Sequence, residues 1–267
     1  MNNTTANMHD RKRPVASALA SIVLGMTTTL AEASTNTQEL RDMANASTST
    51  TASATLSARQ QAIVPIAAFA AAGDMAKLNT ALSRGLDSGL TISDAKEILV
   101  QVYAYAGFPR SLNALGELMR VLEARKQRGI QDQPGQAPSR PIPKGDALLS
   151  AGTANQTKLA GAPVKGPLMD FAPAIDEYLK AHLFGDIFER DNLDWQSREL
   201  ATVGMLSALP GAESQLQSHM GISMNVGLTA DQLRQLAHVL ADRVDAEHAR
   251  RANEALARQI ASRSGAK

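Results

Sequence analysis

From Leu56 onward the chain places apolar residues three and four positions apart, the spacing that lines one face of an α-helix. Ile63, Ile66, Ala67 and Ala70 form the first such stripe, after a Ser57-Ala-Arg-Gln60 stretch that fits a capping box. Pro65 lies early in that run, where a helix tolerates it or kinks. Gly73-Asp74 ends the helix, and Leu78 and Leu82 mark a second one over about 75–84, closed by Gly85 and Gly89. Thr91-Ile-Ser-Asp94 caps a third, striped by Ile98, Leu99, Val102 and Tyr105, and Gly107-Phe108-Pro109 breaks it. Leu112, Leu115, Leu118, Met119 and Leu122 predict an amphipathic helix over about 111–128. Helical spacing returns over 168–192 through Ile175, Leu179, Leu183, Ile187 and Phe188. Helices on either side of Pro210-Gly211 then make a hairpin. Thr229-Ala-Asp-Gln232 caps a last long helix through Leu233, Leu236, Leu240 and Val244, reaching toward Ile260.

Composition agrees with an all-α fold. Apolar residues are 44% of the chain but aromatics only 3%, and a chain rich in Ala, Leu, Gln, Arg and Glu favours helices over sheets. Between the two helical regions, residues 127–167 concentrate proline and glycine around one short apolar run at Ala147–Leu149. A connector of this length either separates two units or packs over one of them, and its Lys158–Gly166 end can hold a short helix. The expected organisation is a helical unit over 56–126, this connector, and a second helical unit over 168–262.

The N-terminus speaks to compartment. Arg11-Lys12-Arg13, the apolar run Pro14–Met26 and Ala31-Glu32-Ala33 have the layout of a signal peptide over 1–33, the apolar run being too short to span a bilayer. Ser/Thr/Ala/Asn-rich residues 34–55 then form a leader. Removal of 1–33 would take away three basic and two acidic residues, leaving 24 of each from the original 27 and 26. The expectation is a periplasmic or secreted protein with no membrane association after cleavage. A neutral chain offers no broad basic field for nucleic acid. The absence of cysteine excludes disulfides, thiolate metal sites and thiol nucleophiles together.

Two segments echo one another. Leu56–Asp94 and Leu193–Gln232 share the order helix, Gly turn, helix, Gly-Leu-Thr cap, helix, with Gly73/Gly211, Gly89/Gly227, Leu90/Leu228 and Thr91/Thr229 in one register. The copies differ chemically. Gln61 or Ala62 stands where the second copy has Glu199, and Ala81 where it has His219.

Glu199 and His219 are the candidate catalytic pair. They lie roughly 17 and 12 Å from the Pro210-Gly211 turn along antiparallel helices, an offset that two long side chains can bridge. A partly buried carboxylate–imidazole pair exchanges protons near neutral pH because each partner moves the other's pKa. Arg198, with its planar fork, suits a substrate carboxylate. Trp195 reads as a core or interface anchor, or as a flat surface beside a substrate. The competing structural reading makes Glu199 a helix-dipole residue, Arg198 a surface ion-pair partner and His219 a hydrogen-bonded interface residue. His182 and His248 lack partners at metal-ligand spacing, and no metal or cofactor is called for. The His219, Met220 and Met224 face reads as packing.

Arg198-Glu199-Leu200, Gly211, His219, the Asn225–Thr229 turn and, in the first half, Gln101–Leu115 resemble the carboxymuconolactone decarboxylase family, which includes alkylhydroperoxidase D-like proteins. The resemblance spans about 56–126 and 168–245. It implies two alkylhydroperoxidase D-like helical repeats, a homo-oligomer (a trimer that imitates a hexamer), and cofactor-free acid/base chemistry of decarboxylase or lyase type on a small carboxylated or lactone-like molecule. The alternatives are a non-catalytic oligomeric binding or structural protein and, third, peroxidase activity. In the peroxidase branch a Cys-x-x-Cys pair precedes the site histidine, where this chain has Ala212 and Gln215. The thiol mechanism is therefore excluded.

Overall fold

The computed structural model describes residues 55–265, in which every regular element is a helix and there is no strand. The expected signal peptide (1–33) and all but the last residue of the leader lie outside the described residues.

Helix α1 (Ala58–Ala72) starts from the expected capping box, with Ser57 and Gln60 satisfying each other's backbone N–H, and ends at Gly73 in the left-handed region (φ 79°). Every residue from Ala62 to Ala71 is buried. A helix apolar on all sides has to sit in the middle of the molecule, and α1 does so, packing on α2 (Met75–Asp87), α3 (Ile92–Gln127) and α7 (Trp195–Ser207). Helix α7 is its counterpart, buried without interruption from Ser197 to Ser207. The two approach closely because Gly204 faces the Val64 carbonyl, 2.8 Å from where a Cβ would stand. A larger residue there would push the two central helices apart.

The expected break in α3 falls at Gly107, whose φ of 82° and ψ of 162° interrupt the helix and turn its second half. Past it, Arg125 is buried and holds Asp132 and Asp87, each at 2.8 Å, which pins the start of the connector to the first helical unit. The connector is held as well by the N–H groups of Ile92 and Ser93, which donate to the Gln133 and Pro134 carbonyls. Its helix is longer and earlier than the sequence suggests: α4 runs Asp146–Ala160 and stops at Gly161 (φ 82°), so the short helix expected at Lys158–Gly166 is the end of this one.

Residues 168–192 depart from a single regular helix. Two short turns, α5 (Pro167–Phe171) and α6 (Pro173–Glu177), lead into a π-helical segment over Tyr178–Ile187. That segment packs on α4 through paired glycines, Gly152 against the Lys180 carbonyl and Gly185 against Leu148. Leu159, Leu183, Phe184, Ile187 and Phe188 form a small apolar cluster there, separate from the main core.

Helix α8 (Glu213–Asn225) returns antiparallel to α7 after Gly211 (φ 86°), and α9 (Ala230–Arg243) starts from the Thr229/Gln232 capping box. The last helix is not one rod. It breaks at Val244 (φ −121°, ψ −85°), Asp245 caps the next turn, and α10 (Ala246–Gly265) folds back on α9, α8 and α7. Reversal buries Ala249, Ala252, Ala255 and Leu256, which a straight continuation would leave in water. Helix α2 and helix α8 have bounds 138 positions apart at both ends, α3 and α9 begin 138 apart, and α1 and α7 begin 137 apart.

Candidate functional site

Asp194 caps α7 by accepting the Ser197 N–H (2.8 Å) and the Ser197 hydroxyl (2.7 Å). This fixes the helix start, and with it Glu199 one turn in, facing α8. His219 meets it from the middle of α8. The His219 Nδ1 lies 2.8 Å from Glu199 Oε2, with the carboxylate fully buried and the imidazole 10% exposed. An ionised carboxylate at that distance holds the ring hydrogen on Nδ1 and leaves Nε2 as the basic nitrogen. The second carboxylate oxygen, Glu199 Oε1, is buried with no hydrogen-bond partner among the described residues.

The first half contributes directly. The Tyr105 ring from α3 stands edge-on to the imidazole, centroids 5.7 Å apart at 78°. Its hydroxyl accepts from Thr202 Oγ1 at 3.4 Å, and Gln101 Nε2 donates to the same Thr202 oxygen at 2.7 Å. Burial, and then the nearby Glu199 carboxylate, push the Tyr105 phenol well above its ordinary range, so it stays neutral and can only share its proton.

Arg198 points the other way. It is fully buried; Nη2 donates to Glu97 Oε2 (3.0 Å) and to the Arg190 carbonyl (2.8 Å), and Nη1 to Gln101 Oε1 (3.3 Å). The fork expected to hold a substrate carboxylate instead holds Glu97. Burial alone would raise the Glu97 carboxyl. Hydrogen bonds from Arg190 and Asn192, with the Arg198 charge beside them, outweigh it and keep Glu97 below the usual carboxylate range. Trp195 likewise turns from the pair: its indole donates to the Phe188 carbonyl (3.3 Å), and Lys158 lies over its ring at 4.9 Å. It anchors the small cluster formed by α4 and the π segment.

His182 and His248 each sit against a neighbouring Asp, at 2.6 and 2.5 Å. Among the described residues no three His, Asp or Glu side chains are placed to hold a metal ion. Local spacing does not point to Tyr105, Gln101 or Thr202 as neighbours of the pair. The Gln101–Leu115 motif is the one signal for the first two, since no spacing rule connects α3 with a histidine on α8, and Thr202 carries none.

Residues 173–258 match the family model described as the carboxymuconolactone decarboxylase family. That stretch, about a third of the chain, is similar to the family. The matched stretch contains Glu199 and His219 but not Tyr105. The 4-carboxymuconolactone decarboxylase of Acinetobacter baylyi is 32% identical over 69 residues, which are 26% of this chain and 51% of that protein. The chain thus spans about half the length of the curated relative it matches.

Proposed function

We propose that this protein, as a member of the carboxymuconolactone decarboxylase family, carries out cofactor-free proton transfer on a small carboxylated or lactone-like molecule, with Glu199 and His219 as its acid/base pair. The observation that carries the reading is the buried 2.8 Å contact between them, which leaves His219 Nε2 as the one basic nitrogen of the pair at the partly exposed edge. His219 Nε2 takes the carboxyl proton of a substrate acid, carbon dioxide leaves as the C–C bond electrons move into a conjugated enolate, and the imidazolium so formed returns that proton to the carbon, which restores the neutral ring. Glu199 stabilises the imidazolium between those steps. The relative named for decarboxylation of 4-carboxymuconolactone supports this class of reaction.

The test is carbon dioxide release from 4-carboxymuconolactone by the full chain. Glu199→Gln and His219→Gln should each lower kcat about 10²-fold or more while the helical circular-dichroism signal is retained. Unchanged turnover in both variants, or none in the native chain, removes the assignment.

A second reading, a non-catalytic binding or structural oligomer, is favoured by one observation. Glu199 has no exposure and His219 only a narrow strip. A native chain inactive on lactone acids that still assembles would favour it.

Three parts of the reading have indirect support. The duplication of a helical unit is supported by the helix bounds repeating at 137–138 positions. Assembly into a homo-oligomer is supported by Phe108, Leu112 and Met119, exposed at 63%, 63% and 72% along one face of α3. Export to the periplasm or beyond is supported by the basic, apolar and A-x-A order of residues 11–33.

A further inference from the structure

A cavity of about 350 Å³ opens between α1 and α2, on the first helical hairpin. Ala62, Pro65, Phe69 and Ala81 form its apolar wall, and Lys77, Arg84 and Arg243 stand at its rim. Three of these residues occupy special positions. Ala62 lies 137 positions before Glu199, Ala81 lies 138 before His219, and Arg243 lies 138 after Tyr105. Each group of the polar site therefore has a counterpart here, changed in kind. Two methyl groups replace the carboxylate and the imidazole, and a guanidinium replaces the phenol. The exchange removes every proton-transfer group and leaves room with a one-signed charge at its edge.

We propose that this cavity is a binding site for a small organic carboxylate with a single-ring apolar body. The volume is at the lower end of the ~300–1,000 Å³ usual for ligand pockets, which limits the occupant to about one ring. No acidic side chain lines the cavity, so the rim favours an anion. Lys77 is partly engaged, 3.2 Å from Asp74 and 5.6 Å from the Phe69 ring centroid. Arg84 makes no ion pair among the described residues. Arg243 donates to Gln61 Oε1 at 3.2 Å, and its nearest carboxylate is the exposed Asp242 at 3.7 Å. Both guanidinium groups can turn to a ligand carboxylate, and a planar fork accepts it bidentately. The ring would lie on Ala62, Ala81 and Pro65, where the second hairpin has polar groups. This site binds and does not react, and it is separate from the pair at Glu199.

The test measures benzoate binding to the full-length protein by calorimetry and ligand-observed NMR, with benzamide and benzyl alcohol as uncharged probes. The expected result is saturable benzoate binding with a dissociation constant of about 1 mM or tighter, at least tenfold weaker for both uncharged probes. The double charge reversal Arg84→Glu with Arg243→Glu, at two exposed positions, should weaken benzoate at least tenfold. Thr80→Trp, also exposed and at the cavity wall, should abolish it by filling the mouth. Glu199→Gln should leave it unchanged, and turnover is not the readout, so loss of the decarboxylase reading would leave this result standing. The proposal is overturned by absent saturation up to about 10 mM, by equal affinity for the uncharged probes, or by binding that survives the charge reversal. Binding lost in His219→Gln but kept in Thr80→Trp would overturn it as well, by placing the ligand at the other hairpin.

Discussion

Tyr105 and His219 meet edge to face although they lie on opposite halves of the chain, the ring on α3 standing beside the imidazole on α8. The Glu199–His219 contact of the second hairpin therefore lies beside an aromatic ring supplied by the first half. Because burial and the Glu199 carboxylate hold the Tyr105 phenol above its ordinary range, it should remain protonated when free tyrosines ionise near pH 10. Tyr105→Phe should then show the same phenolate absorbance gain between about pH 7 and 11 as the native protein. A smaller gain in the variant would mean that Tyr105 titrates. The raised pKa has a further consequence of definite sign. Above about pH 10 the unfolded chain sheds this proton and the folded one does not, so stability should decline from there upward.

Glu97 and Arg198 join the halves beneath the site. Glu97→Gln leaves the Arg198 guanidinium buried without its charge partner, a change that costs about 3–5 kcal/mol at neutral pH. The sign of the pH dependence follows from the depressed Glu97 pKa: its contribution is present above the unfolded value near 4.3 and lost as pH falls through the folded value. Urea denaturation at several pH values should find Glu97→Gln less stable at pH 7 and flatter in its acid limb. Equal stability of the two proteins at neutral pH would show that the ion pair contributes nothing net.

Gly204 marks the closest approach of the two central helices. A Cβ there would press on the Val64 carbonyl, and backbone cannot rotate aside as a side chain can. Gly204→Ala should lower stability by about 1–3 kcal/mol, read as a reduced thermal midpoint, and should also lower turnover because α7 carries Glu199. An unshifted midpoint would mean that the crossing is looser than this contact implies.

The exposed stripe on α3 predicts a size change. Phe108→Asp with Met119→Asp should convert an oligomer to smaller species in multi-angle light scattering. A native protein that is already monomeric at micromolar concentration would refute assembly through this face.

Thiol-dependent peroxide reduction should be absent from the pure protein. No cysteine exists to form a sulfenate or a disulfide, so measurable dithiothreitol-dependent peroxide loss would contradict the chemistry argued here.

Much of the helical order was legible in the sequence for local reasons. Capping boxes at Ser57, Thr91 and Thr229, and glycine stops at Gly73 and Gly211, act within four residues of themselves and reappear in the structure as expected. The misses share one cause, which is that a remote partner decided the outcome. The π-helical stretch at Tyr178–Ile187 depends on α4 packing beside it, and the break at Val244 on what α10 buries. In the site, Glu199 and His219 were legible as a pair because a single hairpin brings them together. Arg198 looks free for a substrate in the sequence because nothing local shows that Glu97, 101 residues earlier, faces it.

By itself, then, the sequence determined the helical class, the hairpin that holds Glu199 and His219, and the exclusion of thiol chemistry. Those follow from backbone periodicity, local capping and elemental composition, which require no knowledge of distant contacts. The tertiary structure decided that Arg198 is buried on Glu97, that Tyr105 stands beside His219, and that Ala62 and Ala81 line a cationic cavity where the second hairpin has its polar pair. Each of those depends on which face of one helix meets which face of another, and that is settled only when the apolar surfaces of both halves are buried together.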